Sequence, residues 1–222
     1  MKKVAIFLDG GYVLKRLRDI LQLREYPSAE VIYEFARKLA SEDEEIFRIF
    51  FYYAEPFKGI RNKPISHEPY NFAENPLAKY TKELFNKLAP RDYIALRKGE
   101  LLFQGWKIKH ETVEKLKNKK SDDIEPLVDE DFEPEFIQKG VDIKIGLDVA
   151  WLASKKIVDR VIMVSADSDF VPAMKFARKE GIQVVLIKVG LQGLKSSLLE
   201  HSDLIRQFYY DRDTENWVIK TE

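Results

Sequence analysis

Three aspartates follow two apolar segments that are each short enough to form a buried strand. Asp9 comes directly after the segment from Lys3 to Leu8, and Asp167 and Asp169 follow the segment from Arg160 to Ser165. If both segments are neighbouring parallel strands, their carboxyl ends meet at one edge of a sheet and the carboxylates lie close together. Like charges at that distance repel, and a hard divalent cation with oxygen ligands removes the repulsion. The pattern therefore predicts a site for Mg²⁺ or Mn²⁺, which can activate water and neutralise the charge of a phosphate.

Two further aspartates lie in a segment with helical spacing, about Asp142 to Lys156. Asp142 and Asp148 are six residues apart, so they point ~120° apart on a helix. Asp142 is the better metal ligand if the start of the helix faces the sheet edge, and Asp148 is then expected beside the metal or the substrate. The alternative is a purely structural role, in which Asp142 caps the start of its helix. Likewise, one residue of the Asp167–Asp169 turn must cap the helix that follows it.

The composition narrows the classes of function. The 222 residues are 45% hydrophobic and 33% charged, which is typical of a soluble globular protein. The absence of cysteine excludes disulfides, thiolate metal sites and cysteine nucleophiles. Lys+Arg and Asp+Glu both total 37, so a polyanion would have to bind a local basic patch. The apolar stretch from Val4 to Leu8 is too short for a secretion signal or a membrane span, and we expect a cytoplasmic chain without membrane contact.

The order of the predicted elements indicates the fold class. After the first strand we predict helices at about 12–23 and 29–40 and a strand at about 45–54. In the C-terminal half, helices alternate with strands at about 160–165 and 182–189. These strands are continuous apolar runs, as in a parallel sheet that is covered on both faces. We therefore predict an α/β fold with a parallel sheet and helices on both faces.

The middle of the chain is less regular. We predict an irregular segment at 56–76, a helix at 77–88, and strands at 93–96 and 101–108 that flank a hairpin turn at 97–100. Residues 118–135 turn strongly acidic, which predicts a mobile, solvated loop. Near the C-terminus we predict a short helix at 191–200 and an edge strand at 203–208.

Three motifs share this arrangement of apolar residues and acidic groups. They are Val-Ala-Ile-Phe-Leu-Asp-Gly-Gly-Tyr at 4–12, Lys-Gly-Val-Asp-Ile-Lys-Ile-Gly-Leu-Asp at 139–148 and Val-Ser-Ala-Asp-Ser-Asp-Phe-Val-Pro at 164–172. Together they resemble the motifs of NYN domains, the LabA-like members of the PIN-like nuclease superfamily, and they occur in the family's order. The resemblance spans residue 3 to about 190. It leads us to interpret residues 1–222 as a single NYN/PIN-like domain with an inserted or elaborated segment at about 56–139.

The resemblance implies a PIN-like, Rossmann-like sheet and metal-dependent hydrolysis of RNA with Mg²⁺ or Mn²⁺ as cofactor. It implies that the catalytic and metal-binding cluster consists of Asp9, Asp142, Asp167 and Asp169, with Asp148 associated as a further ligand. The chain departs from the family at one position. Many relatives have Asn three residues after the first Asp, where this chain has Tyr12, so an amide that positions the substrate is absent there.

An acidic metal site needs a basic rim to bind a phosphate chain. The expected substrate-binding residues are Lys139, Arg97, Lys98, Tyr12 and Ser165, with the aromatic ring stacking on an unpaired base. The alternative interpretation is that scattered basic residues only solvate the surface and that aromatic residues belong to the core. The predicted partner is single-stranded RNA, and a homo-oligomer is compatible with the sequence.

Three functions compete. The first is a metal-dependent ribonuclease. The second is a phosphatase of the haloacid dehalogenase type, which needs an Asp two positions after its nucleophile, where this chain has Gly11. The third is a non-catalytic RNA-binding or regulatory NYN module, an alternative that Tyr12 in place of Asn keeps open.

Overall fold

The structure is a computed structural model that describes residues 1–117, 125–191, 193–214 and 216–221, with residue 221 described by its backbone only. The chain divides into two compact units. Unit 1 comprises Met1–Tyr53, Glu83–Gly99 and Gly140–Glu222, and unit 2 comprises Ala54–Lys82 and Glu100–Lys139. No helix among the described residues is long and apolar enough to cross a membrane.

The secondary structure alternates between strands and helices over most of the chain. The strands are β1 (Lys2–Asp9), β2 (Glu44–Glu55), β3 (Ile60–Asn62), β4 (Pro69–Asn71), β5 (Ile94–Ile108), β6 (Phe132–Lys139), β7 (Arg160–Val164), β8 (Gln183–Val189), β9 (Leu204–Asp211) and β10 (Asn216–Thr221). The helices are α1 (Gly10–Leu21), α2 (Ala29–Arg37), α3 (Pro76–Leu88), α4 (His110–Lys117), α5 (Val141–Ser154), α6 (Val171–Lys179) and α7 (Ser196–Glu200).

Unit 1 is built on a mostly parallel sheet with the strand order β10-β9-β8-β7-β1-β2-β5. The strand β1 lies in its centre and pairs in parallel with β2 on one side and β7 on the other. The next pairs outward, β7 with β8 and β8 with β9, are also parallel. The carboxyl ends of β1 and β7 therefore lie side by side, as the sequence predicts.

Successive residues of a strand point to opposite faces of the sheet. In unit 1 both sets are buried, because helices cover the sheet. Ala5 and Phe7 of β1 pack in one apolar cluster with buried residues of α5, α6 and α7. Elsewhere Phe35 of α2 packs edge-on against Phe208 of β9, with ring centroids 4.9 Å apart. The predicted α/β fold with a parallel sheet flanked by helices is confirmed.

The C-terminal predictions need correction. The helix predicted at 191–200 is only α7, and the strand predicted at the edge is β9, which is covered by β10. The strand β10 runs antiparallel to β9, and Trp217 stacks on Phe208 with ring centroids 4.9 Å apart. The strand β10 was not predicted from the sequence. Charged residues surround its single Trp, and the segment shows no alternation of apolar and polar residues.

Unit 2 is small and is held together by aromatic side chains. Its strands β3 and β4 pair antiparallel, and residues 100–108 of β5 pair antiparallel with β6. The prediction of an irregular segment at 56–76 was therefore wrong for β3 and β4. Rings contact one another throughout the unit, with centroids 4.8 to 6.0 Å apart, in a cluster of Phe57, Tyr70, Phe72, Phe103, Trp106 and Phe136.

Two predictions for the middle of the chain were wrong. Residues 97–100 form no hairpin, because β5 is one continuous strand from Ile94 to Ile108. The acidic segment 118–135 is not simply a loop: residues 118–124 lie outside the described residues, but β6 begins at Phe132. Before it, the Asp131 carboxylate accepts hydrogen bonds from the Val128 amide at 2.9 Å and the Thr112 hydroxyl at 3.1 Å. Acidic residues here make specific contacts.

The amino-terminal ends of the strands in unit 1 enclose a buried charge cluster. Glu44 at the start of β2 accepts hydrogen bonds from Arg206 at 2.8 and 2.9 Å and from Arg160. All three side chains are almost fully buried. Burial favours the neutral acid, but hydrogen bonds from Arg206, the Ser41 amide and Arg160 outweigh it and lower the pKa of Glu44 to about 2.

Candidate metal centre

Asp9 ends β1 and begins α1. Its backbone is extended, and its Oδ1 accepts a hydrogen bond from the Tyr12 amide at 3.2 Å, which caps the helix. Its other oxygen, Oδ2, accepts a hydrogen bond from the Ser165 hydroxyl at 2.9 Å. Asp9 is thus both a structural cap and a carboxylate held in a fixed orientation at the junction of β1 and β7.

Gly10 makes the close approach of α1 to β2 possible. A Cβ atom at this position would lie 2.7 Å from the Tyr52 carbonyl oxygen and 2.8 Å from the Tyr53 Cβ. The next residue has no such restriction, because a Cβ on Gly11 would meet only the Asp9 Oδ1, at 3.5 Å. The first glycine of the motif is therefore required by packing against the neighbouring strand.

Burial raises the pKa of Asp9 above its usual value of 3.8. The hydrogen bonds from the Tyr12 amide and from Ser165 act in the opposite direction, and the negative charge of Asp167 raises the pKa further. Below the carboxylate lies a small pocket whose other lining residues, Ser165 apart, are the apolar Phe7, Ile145, Met163 and Phe170. This environment makes the ionised form of Asp9 costly unless a cation is nearby.

The turn after β7 brings the second pair of aspartates to the same edge. The Ser165 hydroxyl accepts a hydrogen bond from the Asp167 amide at 3.0 Å while it donates to Asp9. The Asp167 Oδ1 accepts the Asp169 amide at 3.0 Å and so caps a 3₁₀ turn, Ser168–Phe170. Asp167 is therefore the capping residue of this turn, and both Asp167 and Asp169 are exposed to solvent.

Asp142 lies in the first turn of α5 but does not cap it. The N-cap is Gly140, which has φ +80° and no side chain to contribute. Among the described residues, the Asp142 carboxylate has no hydrogen bond or ion pair. Its pKa is raised above 3.8 by burial and then by the charges of Asp167 and Asp169. The helix-cap alternative for Asp142 is thus not what the structure shows.

The four carboxylates are coupled by charge and come from three separate segments of unit 1. Asp167 contributes to the raised pKa of both Asp9 and Asp142. As the side chains stand, however, no three Asp, Glu or His residues in the described parts of the chain are grouped closely enough to hold one ion. The donor set fits a hard divalent cation, since every candidate ligand is a carboxylate oxygen and the like charges repel.

Asp148 is engaged by other residues. Its Oδ2 accepts hydrogen bonds from Arg97 Nε at 2.7 Å and from the Tyr52 hydroxyl at 2.8 Å, and its Oδ1 accepts Arg97 Nη2 at 3.2 Å. The Arg97 guanidinium also lies 4.9 Å over the ring of Phe50. Burial, followed by the charge of Asp148, raises the pKa of Tyr52, so its hydroxyl keeps its proton and remains a donor. Asp148 of α5 and Arg97 of β5 thus form a bidentate ion pair beside Tyr52 of β2.

The remaining predicted substrate-binding residues lie in different surroundings. Tyr12 is half-buried in α1, and its neighbour Arg16 donates to the Val189 carbonyl at 2.9 Å. The Lys98 ammonium lies 5.0 Å over the ring of Phe85. Lys139 is exposed at the end of β6 in unit 2. Of the five residues, two contact Asp9 directly: Ser165 through its hydroxyl and Tyr12 through its backbone amide.

One basic residue at the aspartate cluster escaped the sequence analysis. The exposed Lys195 donates from its ammonium to the Ser168 hydroxyl at 3.1 Å, and Ser168 lies between Asp167 and Asp169. The two partners are 27 residues apart. The signal in the sequence was that Lys195 follows a predicted strand, 182–189; the structure shows that this strand, β8, pairs in parallel with β7, so that the residues after both strands lie at the same sheet edge.

A model of the NYN domain family matches residues 102–210. Residues 102–210 therefore belong to the NYN domain family. The matched part of this NYN domain includes Asp142, Asp148, Asp167 and Asp169, whereas Asp9 lies outside it. NYN domains are part of a PIN-like nuclease superfamily, in agreement with the predicted family and with the sheet of unit 1.

Two individual proteins are similar to this NYN domain protein. An uncharacterized protein of Methanocaldococcus jannaschii is 28% identical over 94 residues, which cover 40% of this chain. The match spans 39% of that relative's own length. A crystal structure of a protein of unknown function from Vibrio parahaemolyticus superposes with a TM-score of 0.45 at 15% identity, covering 96% of this chain and 94% of the other.

Proposed function

We propose that this NYN domain protein is a metal-dependent ribonuclease that hydrolyses RNA phosphodiester bonds at Asp9, Asp142, Asp167 and Asp169. The observation that carries the proposal is the charge coupling among carboxylates from three distant segments, with Asp167 raising the pKa of both Asp9 and Asp142. Evolved folds rarely gather like charges at a sheet edge without using them, and perturbed carboxylates in a cleft are a mark of functional sites. The position at the carboxyl ends of parallel strands agrees with this interpretation.

The four aspartates would hold Mg²⁺ or Mn²⁺, and Asp148 would assist from its place on α5. A bound ion of this kind supplies a water of lowered pKa and neutralises charge on the scissile phosphate. The side chains of Asp142, Asp167 and Asp169 are exposed, and Asp167 accepts one hydrogen bond, from the Asp169 amide, whereas the more buried Asp9 is fixed by two hydrogen bonds. Asp9 is therefore the anchor of the proposed site.

The other residues of the proposed site orient these ligands and bind RNA. Ser165 holds the Asp9 carboxylate, and the same hydroxyl fixes the turn that carries Asp167. The Arg97 pair and the Tyr52 hydroxyl hold Asp148 in place. For the phosphate chain of single-stranded RNA we propose Lys139, Arg97, Lys98 and Lys195, with Tyr12 contacting a base.

A non-catalytic RNA-binding module is the second candidate. Tyr12 stands where many relatives have an amide, and no three acidic or histidine side chains of the described residues are at the spacing of a single-ion site. A phosphatase of the haloacid dehalogenase type ranks below both, because Gly11 occupies the position of its second Asp. The single domain over residues 1–222 with an elaborated segment at 56–139, and the cytoplasmic location, remain predictions.

Cleavage of labelled single-stranded RNA in Mn²⁺, in Mg²⁺ and in EDTA tests the proposal. We expect cleavage that depends on the ion and is lost in Asp167→Asn. The exposed Asp43 at the far end of the strands provides the control, since Asp43→Asn makes the same change outside the cluster. Binding of RNA without cleavage in either ion would support the non-catalytic module. Hydrolysis of a phosphate monoester but not of RNA would support the phosphatase.

A further inference from the structure

Most of the hydrogen-bonding capacity of Asp148, in α5, is used within the protein. Its Oδ2 accepts from Arg97 Nε at 2.7 Å and from the Tyr52 hydroxyl at 2.8 Å, and its Oδ1 accepts from Arg97 Nη2 at 3.2 Å. A carboxylate oxygen has two lone pairs, so Oδ2 has none left for an ion. A divalent cation on the remaining lone pair of Oδ1 would lie beside the positive charge of Arg97, which repels it. The structure therefore disagrees with the role of metal ligand that the family resemblance implies for Asp148.

Arg97 of β5 is the residue that this arrangement holds in place. The Asp148 carboxylate binds its Nε and Nη2 groups together, and its guanidinium carbon lies 4.9 Å from the ring centroid of the buried Phe50. The Tyr52 hydroxyl fixes the carboxylate in turn, and burial raises the pKa of Tyr52, so that this hydroxyl remains a donor. An arginine side chain that is already ordered loses little conformational freedom when it binds a ligand.

Part of the Arg97 guanidinium is left for a ligand. The Arg97 side chain is 36% exposed and that of Asp148 is 18% exposed, so the cation is the member of the pair that meets solvent. A guanidinium carries five N–H groups, and the two hydrogen bonds to Asp148 use only Nε and one N–H of Nη2. Among the described residues, Nη1 makes no hydrogen bond to the protein. The edge formed by Nη1 and Nη2 has the geometry that binds two oxygens of one phosphate.

The ion pair of Arg97 and Asp148 lies near the aspartate cluster within unit 1. Tyr52, whose hydroxyl binds Asp148, is the register partner of Asp9 in the parallel pair of β2 and β1. The ring of Phe7, which lines the pocket below Asp9, stacks on the Tyr52 ring with centroids 6.0 Å apart. Only the width of one strand pair therefore separates the residue that fixes the ion pair from Asp9. A phosphate bound to Arg97 would lie beside the cluster.

We infer that Arg97 is a phosphate-binding subsite for single-stranded RNA and that Asp148 is its positioning residue, not a metal ligand. The inference rests on the proposed function, which supplies RNA as the ligand, and it assigns to Arg97 a phosphodiester beside the scissile one. Asp148 opposes the charge of Arg97, so a free anion gains little there. A phosphate in a strand that other contacts hold is already concentrated near the subsite, and it gains a fixed contact through two oxygens.

Fluorescence anisotropy of a labelled single-stranded RNA in EDTA measures binding without cleavage. We expect Arg97→Met to weaken RNA affinity roughly tenfold, and Arg97→Lys not to restore it, because Lys cannot bind two oxygens in parallel. Arg48→Met is the matched control and should bind like the wild type, since Arg48 also lies over a phenylalanine ring, 5.6 Å from the centroid of Phe47, but pairs in register with Ala5. Equal RNA affinity of Arg97→Met and the wild type would overturn the subsite. A wild type that binds RNA through Arg97 but does not cleave it in Mn²⁺ would refute the proposed ribonuclease alone.

A double-mutant cycle tests the positioning role of Asp148. Arg97→Met should weaken RNA binding less in the Asp148→Asn background than in the wild type, because an arginine that is not held in place contributes less. An equal effect in the two backgrounds would reduce Asp148 to a structural residue, and a larger effect in Asp148→Asn would mean that the carboxylate competes with phosphate; either result overturns the inference. Thermal melts supply the second readout: Mn²⁺ should raise the melting temperature of Asp148→Asn as much as that of the wild type. Loss of that rise in Asp148→Asn would make Asp148 a metal ligand and would also overturn the inference.

Discussion

The Ser165 hydroxyl donates to the Asp9 carboxylate across the junction of two parallel strands, at 2.9 Å, although the two residues are 156 positions apart. This contact joins the first motif of the chain to the third. It fixes one carboxylate of the proposed metal centre before any ion binds.

Asp9→Asn should abolish cleavage of RNA and leave the fold intact. Since the pKa of Asp9 is raised by folding, the folded protein favours the neutral acid, and the ionised form costs stability as pH rises through that pKa. An uncharged Asn removes this cost and still caps α1. We therefore expect the metal-free variant to melt at or above the wild-type temperature at neutral pH.

Manganese should raise the melting temperature of the wild type and not of Asp9→Asn, because only an ion bound to the folded state stabilises it. In the wild type this rise in melting temperature should become smaller as pH falls through the raised pKa values of Asp9 and Asp142, because protons then compete with the ion for the carboxylates. Thermal melts with and without Mn²⁺ at several pH values measure both effects. An equal Mn²⁺ shift in wild type and variant would refute Asp9 as a ligand.

Gly10→Ala and Gly11→Ala form a matched pair. The first variant pushes a methyl group into the Tyr52 carbonyl and should destabilise the protein and displace Asp9. The second meets only ordinary contact and should be neutral or stabilising by up to about 1 kcal/mol, because Ala favours helix. Chemical denaturation and Mn²⁺ binding of both variants distinguish a packing requirement from a general need for flexibility. Equal effects of the two substitutions would contradict the packing argument.

Arg97→Met tests how much the ion pair with Asp148 contributes to stability and to RNA binding. The variant keeps an apolar side chain over Phe50 but leaves the Asp148 carboxylate with Tyr52 alone. We expect a loss of about 1 to 2 kcal/mol in the free energy of unfolding. RNA affinity should also fall if the guanidinium contacts phosphate. Restoration of both properties by Arg97→Lys would argue against a bidentate role, since Lys cannot make the two parallel hydrogen bonds.

Glu44→Gln should be among the most destabilising single substitutions. It leaves Arg160 and Arg206 buried without a counter-charge, which costs about 3 to 5 kcal/mol. In the wild type the pKa of Glu44 is lowered from 4.5 to about 2, so its contribution is complete above 4.5 and is lost as pH falls toward 2. Urea denaturation between those pH values should show the loss in the wild type and a flatter dependence in the variant.

Lys195→Ala should weaken RNA binding and leave stability unchanged. The side chain is exposed, and its hydrogen bond to Ser168 adds little to the fold. If its ammonium binds one phosphate, the dependence of log affinity on log salt should fall by about 0.7 for a single strand. Lys38→Ala, also exposed but at the end of α2, is the control. Identical salt dependence in both variants would remove Lys195 from the proposed site.

The sequence predicted the strands that are both continuous apolar runs and fully buried in the sheet. Apolar runs such as Lys3–Leu8 and Arg160–Ser165 became β1 and β7, and the residues that end them became the charged edge. The turn residues at 97–100 were misleading, because Gly99 is buried inside a continuous strand and forms no turn. In β6 the acidic residues Glu133 and Glu135 obscured the apolar residues that alternate with them.

Part of the candidate site was also predictable from the sequence. Strand ends located Asp9, Asp167 and Asp169, because in a parallel sheet a residue's place in its strand fixes its edge. The ion pair of Asp148 with Arg97 was not predictable, since it depends on which strand lies beside β2 and on the rotation of α5. Lys195 was missed for a similar reason: its contact with Ser168 follows from the strand order, which local patterns do not contain.

The central place of β1 has a consequence for synthesis on the ribosome. One neighbour, β2, follows within the first 55 residues, but the other, β7, ends at residue 164. At translation rates of about 5 to 20 residues per second, roughly ten seconds pass between the synthesis of β2 and that of β7. One edge of the apolar strand β1 has no partner strand during this time. During that interval the nascent chain exposes a strand that could pair with other chains. Asp9 meets Ser165 only after the 155 residues between them have been made.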